Sequence, residues 1–356
     1  MKYRFLIYIN HSYAIPIGNP LQTEILKRGF EVKWFSGMED PKKLFPENGD
    51  LIEPVEEAID YQPHIVLTAT DTVPDFFPGL KVQIFHGFPA NKRKGIDQFT
   101  IRGFFDLYCT QGPSSTVPFK KQQKKYKTFE VIETGWSKVD PLFPLESTFN
   151  NKPVVLISST FTRQYSLALK NEVVAEIERL SKTGKYQFLA VLHPKLSTET
   201  IEKFRKLENE NFKFYNTTDL IPLFKKANIM FSDTTSAIIE FLLQRKPVVT
   251  FENNMPGPYL IDIGKVADIE AAFDRALQNP PELITKINEF AEFSHPYSDG
   301  ESSARVISAC IEFLHRDKSY LKKKPSNLLR KYKIRKQLNY WTLRSYSDAF
   351  TLPENT

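Results

Sequence analysis

Two doubly wound parallel α/β sheets, one in each half of the chain, are the fold this 356-residue sequence predicts. Three observations predict it. The apolar runs are short and lack alternation, as strands buried on both faces do. Helical patterns separate them, so each strand is followed by a crossover. The pattern lapses once, over Asp140–Pro153 "DPLFPLESTFNNKP", and then restarts. The length agrees, because single cores stop growing at roughly 250 residues.

Tyr3–Ile9 "YRFLIYI" reads as the first strand. A helix from about Pro20 to Arg28 stops at Gly29, and "FEVKWF" follows, which makes a βαβ unit. Further strands are expected at His64–Ala69, at "KVQIF" ending on Phe85, at Leu107–Thr110 and at Glu130–Thr134. After the break come the strand "VVLISS", a helical pattern through Leu180, then "YQFLAVL", a helix and "FKFY". A helix ending near Asn228, the strand "IMFS", the helix "SAIIEFLLQR" and the strand "VVTF" complete a second sheet, and from Ile269 only helices follow. The expected domains are residues 1–146, residues 147–312 and a basic helical tail, residues 313–356. No internal repeat suggests a solenoid.

Composition narrows the class. The chain is 41% hydrophobic and 25% charged, ordinary for a soluble protein. No run approaches the ~18 apolar residues that span a bilayer, and "MKYRFLIYIN" is too short in its apolar part for a secretory signal. Cys109 and Cys310 lie far apart and form no disulfide or metal pattern, so a reducing, cytoplasmic setting is expected. The formal charge of +6 is unevenly spread. Arg316–Arg344 holds eleven Lys or Arg against one acid, Asp317, while the rest of the chain holds 37 basic and 41 acidic residues. The basicity belongs to the tail.

In an open parallel sheet, loops and helix N-termini converge at the carboxyl ends of the strands, where ligands bind. Four strand ends carry groups suited to chemistry. "QIFHGFP" (Gln83–Pro89) closes an apolar run on His86, and an imidazole with a pKa of about 6.5 suits proton transfer near neutrality. Gly87 is expected to let the backbone turn sharply or approach a ligand; a histidine that merely caps a loop is the alternative. His193-Pro194-Lys195 repeats the arrangement after "YQFLAVL", and the two histidines are expected to face each other across a cleft between the domains. In "FSDTTSAIIEFLLQRKPVVTF" (Phe231–Phe251), Asp233, Thr234, Thr235 and Ser236 stand between a strand and an apolar helix. Such hydroxyls at a helix N-terminus make a phosphate site, although simple capping needs only one of them. Glu240, one turn later, is placed to take a ribose hydroxyl pair, unless it is exposed or paired with Arg245. "SSTFTR" (Ser158–Arg163) adds Thr160 and the Arg163 fork, which suits phosphate.

The sequence contains no G-x-G-x-x-G or Walker loop and no Asp-x-Asp. The order of its elements resembles the CDP-glycerol glycerophosphotransferases, the teichoic-acid polymerase and primase family. "FHGFP" resembles their W-H-G-T-P segment, "GWSKVDPLF" (Gly135–Phe143) their G-x-P-R-x-D-x-L, "VVLISSTFTR" a strand ending in A-P-T-F-R, and "LHP" their R-x-H-P. "FSDTTSAIIEFLLQRKPVVTF" is similar to T-D-Y-S-S-x-x-x-D-F-x-x-x-x-K-P-I-x-F, and "SDGESSARVISACIEFL" to the D-G-x-A-S-x-R segment after it. The resemblance runs from about Phe85 to Leu314, six segments in one order. Phe85 and Phe88 stand where Trp and Thr are usual, Ser137 and Lys138 where Pro and Arg are usual, and Glu240 where Asp is usual.

The resemblance implies a GT-B fold, two Rossmann-like domains facing a central cleft, and transfer of glycerol phosphate or a related polyol phosphate. The donor would be CDP-glycerol or a similar CDP-polyol, the acceptor a hydroxyl of a glycan or lipid-linked molecule, and the product CMP. It makes His86 the general base and His193 the second catalytic histidine, holding the donor pyrophosphate with Thr235 and Ser236. Thr160, Arg163, Asp233, Thr234 and Glu240 would line the donor pocket, with Asp299, Ser302 and Ser303 as its far wall. Gly87, Lys138 and Asp140 fall on the acceptor side. No cofactor and no metal are implied.

The tail "KSYLKKKPSNLLRKYKIRKQLNYWTLR" sets Ile334, Leu338 and Trp341 at helical spacing among basic residues. It reads either as a membrane-surface segment, peripheral on the cytoplasmic face, or as a terminal helix packed on the first domain. "KKQQKKYK" (Lys120–Lys127) and "NKRK" (Asn91–Lys94) are expected to extend one basic surface. Two rival functions keep their place: a GT-B glycosyltransferase or nucleotide-sugar epimerase using a UDP- or CMP-linked sugar, and a nucleic-acid binder acting through the tail. The body has no interleaved aromatic and basic module, so no nucleic acid is expected.

Overall fold

The computed structural model describes residues 1–46, 49–88, 99–146 and 150–352, and "NKRK" lies outside them. The chain forms two compact units. Of the described residues, the first comprises those within 1–88, 99–141 and 299–352, the second those within 142–298.

The first unit is built on β1 (Arg4–Tyr8), β2 (Glu31–Phe35), β3 (Leu51–Ile52), β4 (Ile65–Thr68), β5 (Leu80–Gln83), β6 (Leu107–Thr110) and β7 (Glu130–Glu133). All pairs are parallel, in the order β3-β2-β1-β4-β5-β6-β7. The helices between them are α1 (Ile15–Lys27), α2 (Glu39–Leu44), α3 (Val55–Asp60) and α4 (Pro113–Tyr126). Strands β4, β5 and β6 are buried at every residue, which is why their sequences do not alternate. Helix α1 starts five residues before the expected Pro20, with Pro16 tolerated in its first turn and Pro20 inside it. It stops where expected. Gly29 adopts φ +73°, its N–H bonds the Leu26 carbonyl, and the Phe30 N–H bonds the Ile25 carbonyl, so the last turn closes as a Schellman motif.

The second unit holds β8 (Val154–Ser159), β9 (Gln187–Leu192), β10 (Phe212–Tyr215), β11 (Ile229–Ser232), β12 (Val248–Phe251) and β13 (Ile261–Ile263), also all parallel, in the order β10-β9-β8-β11-β12-β13. Its helices are α5 (Asn171–Lys182), α6 (Thr198–Arg205), α7 (Ile221–Lys226), α8 (Ala237–Leu242), α9 (Ile269–Leu277) and α10 (Pro281–Ser294). Five strands coincide with the apolar runs read from the sequence. β3 and β13 were not expected, being only two and three residues long.

Helix α11 (Ser302–His315) packs on α1, β5 and β6 and so belongs to the first unit, whereas the sequence reading had run the second domain to residue 312. Amphipathic spacing reports that Val306, Ile307, Cys310 and Phe313 are buried, not which sheet they cover. Their partner is the first sheet, where the Cys310 thiol meets that of Cys109.

Helix α12 (Leu328–Leu338) also joins the first unit. Ile334 enters the core, with Leu338 and Tyr340 against it. Arg335 donates to both oxygens of Asp75, at 2.7 and 3.2 Å, and Lys324 sits 2.5 Å from Asp106. The helix ends at Leu338, so Trp341 lies beyond it and does not share its inner face. The terminal-helix reading therefore describes the inward side. On the outward side Leu328, Leu329, Tyr332, Trp341 and Leu343 are exposed.

Beneath this tail Lys81 is almost fully buried, its ammonium donating to the Phe77 and Gly79 carbonyls at 2.6 and 2.9 Å and lying 4.9 Å from the Tyr346 ring centre. Burial, reinforced by Lys324, pulls its pKa from 10.5 down to about 7. An unfolded lysine keeps its proton to about pH 10, so the unfolded chain binds more protons between pH 7 and 10 and folding strengthens as pH rises through that window. Lys246 in the second unit, lowered by burial to about 8, acts in the same direction. The melting temperature should thus rise from pH 7 toward pH 10, and Lys81→Met should flatten much of that rise. An unchanged slope in Lys81→Met, measured by calorimetry, would show the ammonium is not held as described.

Candidate active site

In the first unit the loops at the carboxyl edge of the sheet carry His86. The residue before it, Phe85, adopts the left-handed conformation at φ +58°. A non-glycine residue there costs roughly 1–2 kcal/mol. Packing of the Phe85 ring on Phe119, 5.0 Å away, and Tyr108, 6.1 Å away, offsets that cost. The expected division of labour is therefore reversed. Phe85 makes the turn, while Gly87 has no left-handed φ and a Cβ there would meet nothing.

Two hydrogen bonds bracket the histidine. The Trp136 indole N–H donates to the Phe85 carbonyl at 3.1 Å, and the Gln111 amide donates to the Gly87 carbonyl at 2.7 Å. His86 itself is exposed. Its ring lies 5.9 Å from that of Tyr13, which stacks on His11 at 5.1 Å. Burial, with the Asp71 charge behind it, raises the Tyr13 phenol above its usual pKa. Lys138 lies 5.2 Å over the Trp136 ring. His11, Tyr13, Gln111 and Trp136 were not singled out from the sequence. Three of them follow strand ends, and applying the strand-end rule to every strand would have found them.

Asp140 does not stand apart from Ser302 and Ser303. Its carboxylate accepts from both their backbone N–H groups, at 2.9 and 2.7 Å, and from the Ser303 hydroxyl at 2.6 Å. It thereby closes the first turn of α11 in the first unit, where a carboxylate also favours the helix dipole. Burial nonetheless pushes the Asp140 carboxyl above its usual pKa. Asp299 forms a two-oxygen pair with Arg305, at 2.8 and 3.0 Å, and the guanidinium draws its pKa to about 2.

In the second unit Asp233 is fully buried and organises the edge. Its carboxylate accepts from the Ser159 hydroxyl at 2.6 Å, the Thr160 N–H at 3.0 Å and the Leu167 N–H at 3.0 Å. Its carbonyl accepts from Asn253, and the Thr234 hydroxyl accepts from the Asn254 N–H. Both residues are thus engaged in joining the loops after β8, β11 and β12. Thr235 faces the Ala237 N–H at 3.4 Å, while Ser236 makes no side-chain cap on α8; both are half-buried. His193 accepts at Nδ1 from the Lys195 N–H at 3.1 Å, which puts the proton of the neutral ring on Nε2, and its ring lies 4.5 Å from Phe161. Arg163 is exposed and Thr160 buried. Glu240 is buried rather than solvated, and Arg245 pairs with Glu292 instead.

Asp233→Asn would turn an amide NH₂ toward the Thr160 or Leu167 N–H, which only donate. It should lower the stability of the second unit by about 2–3 kcal/mol in urea unfolding; a variant as stable as the parent would remove Asp233 from this role.

The family model for CDP-glycerol:poly(glycerophosphate) glycerophosphotransferases matches residues 82–312. No curated protein sequence matches. Among solved structures, the wall teichoic acid polymerase TagF, in a variant form, superposes with a TM-score of 0.64 at 14% identity, covering 87% of this chain and 88% of that one. The UDP-GlcNAc 2-epimerase from Neisseria meningitidis bound to UDP-GlcNAc gives a TM-score of 0.60 at 15% identity, covering 88% of this chain and all of that one. These likenesses show a fold of the GT-B class. The family match spans well over half of the chain, and the chain belongs to the CDP-glycerol:poly(glycerophosphate) glycerophosphotransferase family.

Proposed function

We propose that this protein transfers glycerol phosphate from CDP-glycerol to a hydroxyl of a glycan or lipid-linked acceptor and releases CMP. The observation that carries the reading is the family match over residues 82–312, which takes in both histidine-bearing strand ends. In this reading His86 removes the proton as the acceptor oxygen attacks the phosphorus that bears glycerol. The phosphoanhydride bond breaks, and charge builds on the departing CMP phosphate. His193, donating from Nε2, and the hydroxyls of Thr235 and Ser236 stabilise that charge, with Arg163, exposed in the loop after β8, to add a fork. Thr160, Asp233 and Thr234 contribute by holding these loops in shape. Glu240 is the candidate for the ribose. On the acceptor side Lys138 and the His86–Gly87 loop meet the incoming hydroxyl. No cofactor is assigned, and no resident metal.

The tail supports a further part of the reading. No described helix is long and apolar enough to cross a membrane. The exposed Leu328, Leu329, Trp341 and Leu343 stand beside exposed Arg330, Lys333 and Lys336, a combination that suits the surface of an anionic bilayer. Each basic residue near such lipid contributes ~1 kcal/mol. Exposed lysines along α4, within Lys120–Lys127, add charge on the same unit.

His86→Ala should abolish transfer while CDP binding persists, and His193→Ala should weaken donor binding, both followed by product mass and calorimetric titration. Thermal shifts with CDP-glycerol, CDP-ribitol and UDP-N-acetylglucosamine discriminate the donors; stabilisation by the last alone would overturn the reading in favour of a nucleotide-sugar enzyme. In flotation with phosphatidylglycerol vesicles the protein should bind, and Leu328→Ser/Leu329→Ser/Trp341→Ser should release it. Equal recovery of both proteins would remove the membrane from the account.

A further inference from the structure

Gln111 follows β6 and is 1% exposed. Its Nε2 donates to the Gly87 carbonyl at 2.7 Å, but its Oε1 is buried with no hydrogen-bond partner among the described residues. For stability this is a poor use of a buried site. An amide acceptor withdrawn from water and left unsatisfied destabilises the fold, and an apolar side chain of the same length would avoid that. Among the described residues, the one bond its side chain makes is to the loop that carries His86. On the other side of that histidine the Trp136 indole holds the Phe85 carbonyl at 3.1 Å, so the backbone carbonyls of the residues before and after His86 are both held by side chains. The loop needs such fixing, because Phe85 is left-handed without being glycine and nothing at Gly87 restrains the chain sterically.

We propose that Gln111 is a positioning residue for the transfer reaction: it holds the Gly87 carbonyl so that the His86 imidazole is presented to the acceptor hydroxyl, at the expense of fold stability. The inference rests on the reading of His86 as the base. Gln111 touches no reacting atom; it acts through the loop. Its removal therefore affects the rate of the proton-transfer step and leaves the donor site, in the second unit, alone.

The test compares parent, Gln111→Met, His86→Ala and the double variant, using CDP-glycerol and a short glycerol phosphate oligomer as substrates. Gln111→Met should melt at the same temperature as the parent or higher, bind CDP equally, and lose about 10- to 100-fold in kcat with the donor KM unchanged. Added to His86→Ala it should do nothing further, since it acts through that residue. Opposite movement of stability and kcat is a signature a merely structural residue does not give. Unchanged kcat in Gln111→Met, an equal further loss in the His86→Ala background, or a kcat loss matched by a falling melting temperature each overturn the inference. If His86→Ala keeps near-parental turnover, the base assignment fails and this inference with it. If His86→Ala is inactive but Gln111→Met is unaltered, only the role of Gln111 is lost.

Discussion

Within each sheet every strand runs parallel to its neighbours, and this constraint governs the rest of each unit. Parallel pairing sends each chain crossing over the face of the sheet, so both faces are covered and the strands become continuous apolar runs. Polar side chains are thereby driven to the strand ends. Because all carboxyl ends lie along one edge, residues remote in sequence are gathered there without any dedicated scaffold. His86 after β5, Gln111 after β6 and Trp136 after β7 are neighbours for this reason alone. The loops after β8, β11 and β12 come together in the second unit in the same way.

A second theme is the use of buried carboxylates to shape those edges. Asp233 and Asp140 look alike in their chemistry: each is buried, each accepts from two backbone N–H groups, and each takes a serine hydroxyl at 2.6 Å. Loops cannot satisfy their own backbone donors as strands and helices do. A charged acceptor placed among them fixes several at once, and the charge strengthens each bond. Burial raises the pKa of both acids, so a penalty is borne for that order.

These contacts explain what could and could not be read from the chain. The strands were legible because a doubly buried strand has a distinctive non-alternating sequence, and β6, β8, β10, β11 and β12 match their apolar runs end to end. Two- and three-residue edge strands leave no such trace. The start of α1 was obscured by Pro20, whose sequence signal points to a helix start even though the helix here continues through it. His86 and His193 were visible as polar residues closing apolar runs. The roles of Asp233 and Asp140 were not, since a carboxylate aimed at a ligand and one aimed at a neighbouring loop have the same local sequence. Gln111 was invisible for a related reason: its side chain's partner, Gly87, lies 24 residues away, across a strand pairing that sequence spacing does not announce.

The return of α11 and α12 to the first sheet has a consequence for biosynthesis. A ribosome releases residues in order, so the segment that seals α1, β5 and β6 emerges only after the whole of the second sheet. Until then the nascent amino-terminal half exposes the apolar surface that Val306, Ile307, Cys310, Phe313 and Ile334 later cover. The later-made sheet is thus the first able to finish folding, and the earlier one waits as a client for chaperones until the segment from Asp299 onward arrives.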